Sequence, residues 1–207
     1  MSSEQFETDE QKVSYGVGRQ MGLQLASQSF EGIVPDVVAQ GVIDALNGTE
    51  AKLSEADIEK AYHSYEEKMQ AKAAEQGKHL ATEGESFLKE NGARDEVTVL
   101  ESGLQYEVIQ EGSGDKPQAS STVKTHYHGT LINGDVFDSS VSRGQPAEFP
   151  VNGVIAGWTE ALQMMPVGTK WRLFVPPHLA YGERGAGGKI GPNATLIFEV
   201  ELLDIVS

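Results

Sequence analysis

The stretch TVKTHYHGTLINGDVFD, residues 122–138, decides how this chain is read. Val123, Thr125 and Tyr127 alternate with polar neighbours, which is the two-residue period of a strand with one face against a core. Asn133-Gly134 then separates Leu131-Ile132 from Val136-Phe137, a hairpin signal in which both turn positions need positive φ. The stretch predicts two antiparallel strands joined by a tight turn.

The same alternation extends outward on both sides. Leu104, Tyr106 and Val108 face one way in an earlier strand, and Trp171 to Val175 forms a later one. In the last strand Leu196, Phe198, Val200 and Leu202 alternate with Ile197, Glu199, Glu201 and Leu203, so one face lies on a core. Between them Trp158, Leu162 and Met165 keep helical spacing until Pro166-Val-Gly168 ends it. The C-terminal half is therefore α+β, a mostly antiparallel sheet covered by one short helix, and residues 94–207 are assigned to it.

Upstream the period is helical. Val13, Val17, Met21 and Leu25 recur every four residues, with small Ser14, Gly18 and Gly22 on a neighbouring stripe that would let another helix approach. A second helix begins near Pro35, runs through Val38, Val42 and Leu46, and stops at Asn47-Gly48. Ser54-Glu-Ala-Asp57 resembles a capping box and opens a stretch rich in Ala, Glu, Lys and Gln that continues to Asn91-Gly92. Ile58, Ala61, Tyr62, Tyr65 and Met69 give this long helix an initial apolar face, whereas Gln70 to Glu85 reads as a solvated stalk. Residues 1–52 thus form a helical domain and residues 53–93 a long connecting helix. Two short helices and the start of a third make a poor core, so a second copy is expected to supply the missing apolar surface; packing on the chain's own C-terminal domain is the alternative.

Composition sets outer bounds. The chain has 207 residues, 31 acidic against 16 basic, and a formal net charge of -15, which opposes binding to nucleic acid phosphates or an anionic membrane. It has no cysteine, which removes disulfides, thiolate nucleophiles and sulfur-based metal sites. Met1-Ser-Ser-Glu-Gln-Phe opens an acidic, polar N-terminus with neither part of a secretory signal, and no apolar run reaches the length of a membrane span, so a cytoplasmic location is expected.

Candidate chemistry lies near the turns of the C-terminal half, where Tyr127, Phe137, Phe149, Val154-Ile155, Trp158, Tyr181 and Phe198 cluster in the sequence. On residue type alone they line a pocket or form plain core, and composition does not choose. The glycine-rich run from Gly182 to Ile190 fails the Walker spacing and reads as a mobile loop at a pocket rim. His126 and His128 share a strand face without a third ligand, and both Asn47-Gly-Thr and Asn193-Ala-Thr are explained by turn chemistry.

Five ordered stretches resemble the FKBP family of prolyl isomerases: Val-Lys-Thr-His-Tyr127-His-Gly-Thr-Leu, Gly134-Asp-Val-Phe137-Asp138-Ser-Ser, Val154-Ile155-Ala-Gly157-Trp158, Leu179-Ala-Tyr181-Gly182, and Ala194-Thr-Leu-Ile-Phe198-Glu-Val-Glu-Leu-Leu. With helices ahead of it, the whole chain is similar to the bacterial Mip-like subgroup, whose members form V-shaped homodimers through N-terminal helices. The resemblance implies an FKBP fold and a peptidyl-prolyl cis/trans isomerase that assists protein folding. It implies Tyr127, Asp138 and Tyr181 as catalytic residues. Phe137, Arg143, Phe149, Val154, Ile155, Trp158, Ile190 and Phe198 would bind substrate, with Trp158 the floor under the proline ring. Asp138 would orient the twisting amide and interact with Tyr127 and Arg143; on residue type alone it is a turn residue capping Ser139-Ser140, and Arg143 a solvated charge.

Such a reaction needs no nucleophile, metal or redox cofactor, because rotation about an Xaa-Pro bond disturbs only amide resonance. The expected partners are a second copy of the chain, unfolded or partly folded proline-containing proteins, and macrolide inhibitors. Four positions depart from the family pattern: Ala147 replaces an aromatic wall residue, Ala186 a loop histidine, Lys189 an apolar residue and Gly191 a proline. The rival reading is a non-enzymatic dimeric chaperone or scaffold using the same pocket. Ala147 and Ala186 favour that rival; the joint presence of Tyr127, Asp138, Ile155, Trp158 and Tyr181 opposes it.

Overall fold

The structure, a computed structural model, describes residues 6–27 and 31–206. The chain divides into two compact units, Met1–Ala61 and Tyr62–Ser207. In the first, α1 spans Asp9–Ser27 and α2 spans Pro35–Leu46, with Pro35 in the first turn where its missing N–H costs no bond. Val13, Val17, Leu23, Val37, Ile43 and Leu46 of these helices stand exposed.

Helix α3, Glu55–Asn91, starts in the first unit and continues into the second. The Ser54 hydroxyl accepts the Asp57 N–H at 3.1 Å and donates to the Asp57 carboxylate at 2.7 Å, so the capping sequence does cap. The expected solvated stalk holds from Gln70 to Gln76, which are exposed, but not from Gly77 onward. Gly77, Gly84 and Asn91, spaced by seven, are buried, and Leu80 packs against the core of the second unit. Phe87 lies 5.9 Å from Phe174, and Asn91 donates to the Gln105 side chain at 2.8 Å while that side chain donates to the Leu88 carbonyl. The polar residues between these positions hid a narrow stripe of small and apolar ones.

The second unit is an antiparallel sheet. Strands β1 (Val97–Val99), β2 (Gln105–Gln110), β6 (Lys170–Val175), β7 (Leu196–Ile205), β3 (Thr122–Leu131) and β4 (Val136–Ser139) lie side by side in that order. Strand β5 (Ala147–Pro150) pairs with the start of β3, and β4 with its end, so β3 serves two partners along one edge and β7 along the other. The sequence pattern did not distinguish β1 or β5, each too short to show a period. Val123, Thr125 and Tyr127 are all buried, as are Leu196, Phe198, Val200 and Leu202. Val108, expected on the core face with Leu104 and Tyr106, is 39% exposed, whereas Tyr106 stacks on Trp171 at 4.0 Å.

The β3–β4 turn differs from the expected two-residue form. Gly134 has φ 88° but Asn133 does not enter the positive region, and the Gly134 N–H donates to the Leu131 carbonyl at 3.0 Å. The Asn133 side chain accepts the Asp135 N–H at 3.0 Å, a local bond that favours a longer loop with one left-handed residue.

Helix α5, Ala156–Met164, crosses one face of the sheet and buries Trp158, Ala161 and Leu162 there. Both tryptophans of the chain, Trp158 and Trp171, are in this unit, so their fluorescence reports on it. Leu173 of β6 is fully buried opposite Phe198. Leu173→Ala is expected to lower the stability of this unit by about 2–5 kcal/mol, read as a lower urea midpoint of tryptophan fluorescence with an unchanged slope.

Candidate active site

The aromatic residues singled out in the sequence meet around one ring. Trp158 rises from the first turn of α5 and is 4% exposed. Tyr127 from β3, Phe149 from β5 and Phe198 from β7 stand nearly perpendicular to it, with centroids 5.4, 5.9 and 5.3 Å away. Such near-perpendicular pairs suit the aromatic quadrupole and hold the indole in place. Phe137 stands edge-on to Phe198 at 5.4 Å.

Above the indole opens a cavity of about 670 Å³. Tyr127, Phe137, Asp138, Phe149, Val154, Ile155, Trp158, Tyr181, Ile190 and Phe198 all line it. Arg143 does not; it stands behind the wall and reaches the pocket only through its partners. Gly187 lines it from within the glycine-rich run expected at the rim, whereas sequence reasoning missed Gly153, because a glycine that only contributes backbone leaves no chemical signal. Ala186 and Lys189 of the same rim, both departures from the family pattern, line it too. Ala147 packs against the core cluster beside this site.

One wall is polar and closely bonded. The Tyr127 hydroxyl donates to Asp138 Oδ2 at 2.5 Å, Arg143 donates to the Tyr127 hydroxyl at 2.8 Å, and Arg143 also pairs with Asp138 Oδ1. Asp138 Oδ1 accepts the Ser139 N–H at 2.8 Å, so the turn role and the pocket role coexist. Arg143 reaches this position because it ends a one-turn helix, α4, Ser140–Arg143. Ser139 caps that helix by accepting the Ser142 N–H at 3.1 Å, and the Ser140 hydroxyl accepts the Tyr127 N–H at 2.8 Å, which pins α4 to β3. His126 and His128 pair with Ser140 and Ser139 at 3.1 and 3.0 Å, so each works as a support on the far face of β3.

Burial, followed by the hydrogen bond to Asp138, holds the Tyr127 phenol above the ordinary tyrosine range. For Asp138, partial burial alone would raise the pKa, but the bonds from Tyr127, Arg143 and the Ser139 amide together bring it below the usual carboxylate range. Opposite this wall, the Tyr181 hydroxyl-bearing side chain is 41% exposed at the mouth. The arrangement offers a flat apolar floor, fixed donors and a carboxylate that stays ionised; it is built to hold a small ring and a polar group, not to move protons.

The family model described as FKBP-type peptidyl-prolyl cis-trans isomerase matches residues 114–203, and one described as the domain amino terminal to it matches residues 10–108. The chain is 48% identical over 206 residues to the FKBP-type 22 kDa peptidyl-prolyl cis-trans isomerase of Escherichia coli, covering 100% of both. It is 44% identical to the outer membrane protein MIP of Legionella longbeachae, covering 96% of this chain and 86% of that one. Among solved structures, FkpA from Escherichia coli matches with a TM-score of 0.67 and 37% identity, covering 97% of this chain and 98% of that one.

The pairing predicts two titrations by carbon NMR. The Asp138 carboxyl should titrate below the ordinary aspartate value of about 3.9, and Tyr127 above about 10. Because the folded pKa of Asp138 is depressed, its stabilising contribution is complete above the unfolded value and is lost as pH falls through the folded one. Asp138→Asn should bring the Tyr127 titration downward, since the carboxylate is one of the groups holding it up.

Proposed function

The chain belongs to the FKBP-type peptidyl-prolyl cis-trans isomerases and is an enzyme of that class, and we propose that it acts by drying and orienting an Xaa-Pro amide over Trp158. The observation that carries this reading is the cavity itself: three aromatic rings around one indole, with Tyr127, Asp138 and Arg143 bonded together along a single wall.

Rotation about an Xaa-Pro bond meets a barrier of about 18–20 kcal/mol, set by amide resonance. A planar amide is more dipolar than a twisted one and is better hydrated. Removing water from its carbonyl therefore raises the planar state more than the twisted state. One lost carbonyl hydrogen bond is worth roughly 1–3 kcal/mol, which corresponds to about five- to 150-fold in rate.

In this mechanism the proline ring rests on the Trp158 face between Tyr127, Phe149 and Phe198, while Phe137, Val154 and Ile190 close the sides. The Tyr181 hydroxyl donates to a substrate carbonyl. Ile155 caps the N-terminus of α5, so its N–H lacks an intrahelical partner and is assigned to a second carbonyl. Asp138 is ionised at neutral pH and shared between Tyr127 and Arg143, so it acts as an oriented negative pole beside the amide, not as a base. Proline-containing segments of unfolded or partly folded proteins are the proposed substrates, and macrolide inhibitors would occupy the same floor.

The N-terminal unit is proposed to join two copies. What supports this is the apolar surface left exposed on α1, α2 and the start of α3, including Val17, Leu23, Val37, Ile43 and Ile58. Along α1, Gly18 and Gly22 would let a partner helix approach closely, since no atom lies within 4 Å of where their Cβ would stand.

Two measurements test these readings. The intact protein should accelerate cis-to-trans conversion of an Xaa-Pro peptide at low temperature, and Asp138→Ala should lower kcat/KM by about tenfold or more with its circular dichroism unchanged; equal rates would remove Asp138 from the site. Sedimentation at micromolar concentration should give twice the chain mass, and Val17→Glu should halve it while leaving the peptide rate per chain within about twofold; a monomeric parent protein would reject the dimer.

A further inference from the structure

We propose that helix α3 is part of the isomerase machinery, because Gln76, Leu80 and Gly84 seat the loop that forms one rim of the pocket. The proposal rests on the pocket assignment above and names residues that act through the rim, not on substrate directly.

The rim is the segment from Gly182 to Thr195, which contributes Ala186, Lys189 and Ile190 to the cavity. It carries glycines at 182, 185, 187, 188 and 191, and the first four all have φ between 56° and 70°. Such a segment loses much conformational freedom when ordered. Its own bonds are few: Ala186 and Ile190 exchange N–H to carbonyl bonds at 2.9 and 3.0 Å, and the Asn193 N–H donates to the Gly182 carbonyl at 2.8 Å. No strand ladder includes residues 182–195 beyond that single bridge. Something else must hold Ile190 over the floor.

Helix α3 supplies that hold. A Cβ at Gly191 would lie 2.7 Å from Leu80 Cδ1 and 3.2 Å from the Gln76 side-chain nitrogen, so the rim backbone rests directly on those two residues. A Cβ at Gly77 would lie 3.1 Å from Pro192 Cβ. At Gly84 the corresponding space is already taken by the Thr195 hydroxyl, which is buried without a hydrogen-bond partner. Ile190 lines the cavity while its neighbour Gly191 touches α3, so a shift of the helix contact is carried to the pocket through one peptide unit. Thr195 leads straight into β7, which carries Phe198 three residues later. The departure at Gly191 acquires a reason: a larger residue would occupy the place of Leu80.

The test uses the full chain. Leu80→Ala is expected to raise KM for an Xaa-Pro peptide about three- to tenfold with kcat within about twofold, since the floor and the polar wall are untouched. Amide hydrogen exchange at Ala186 and Ile190 should quicken by about tenfold or more, while Val200 in the central strand keeps its protection. Leu80→Met should return both readouts to near the parent values, and the unchanged protection of Val200 in Leu80→Ala is the outcome that a general loss of stability would not give. Gly191→Ala should raise KM alone and less in the presence of Leu80→Ala, because the added methyl then meets space instead of Leu80 Cδ1. The exposed Gln76→Ala offers a variant whose folding is secure. Rim exchange and KM unchanged in Leu80→Ala and Gln76→Ala, or strictly additive effects of Leu80→Ala and Gly191→Ala, would overturn the proposal. The exchange measurement stands even if Asp138→Ala shows the pocket assignment to be mistaken, so the two failures are separable.

Discussion

The indole of Trp158 is the point on which the C-terminal unit depends. It comes from α5, and the rings against it come from β3, β5 and β7, so four elements are fixed relative to one another by a single side chain. Each edge-to-face pair is worth about 0.5–1.5 kcal/mol beyond the area it buries. The larger consequence is geometric. A flat face ringed by edges leaves one side open, and that open side is the cavity. Core and site are therefore the same object seen from two sides, which explains why residue type alone left pocket and plain core undecided for Tyr127, Phe149 and Phe198.

The polar wall shows a second constraint. An ionised carboxylate beside a dry cavity needs partners that do not themselves fill the cavity, and Asp138 has two of them stacked behind it. Tyr127 donates from β3, and Arg143 donates from α4 to both. Asp138 and Arg143 remain partly exposed, so the pair contributes orientation more than stability. Orientation is fixed further back by Ser139 and Ser140, whose hydroxyls hold α4 to the main chain of β3 and the helix to its own start. The run Asp138-Ser-Ser is thus a functional side chain followed by its two fasteners.

Much of this was legible in the sequence where a period could express itself. β3 and β7 run for ten residues each and alternate cleanly, and Pro35, Ser54 and Pro166 mark helix ends by chemistry that has few other uses. The rest was hidden for identifiable reasons. β5 and α4 have four residues each, too few for a period, so Arg143 had a role only by resemblance. Asn133-Gly134 signalled a turn correctly but not its type, because the Asn133 side chain bonds Asp135 and favours a loop with one positive φ. In α3 the misleading signal was glycine. Gly77 and Gly84 lie within the run that reads as a solvated stalk, whereas they are contact points, and a glycine spaced by seven from another and from Asn91 describes a stripe as surely as leucine would.

That reversal bears on how a catalytic rim can be rich in glycine and still be specific. Four of the five glycines between 182 and 191 have positive φ and let the chain turn tightly close to a substrate, a conformation that side chains resist. The same residues remove the side-chain packing that would otherwise hold the loop in place. A loop of this kind keeps its shape only if an external surface does the holding, and a helix with glycines of its own is well suited, because backbone can meet backbone with little intervening side chain. In this chain the surface is α3, and the one large residue in the contact, Leu80, fits where the rim has no side chain at all. Glycine on one side and leucine on the other is the complementarity that a proline at position 191 would abolish, so substitutions at 80 and 191 are constrained as a pair.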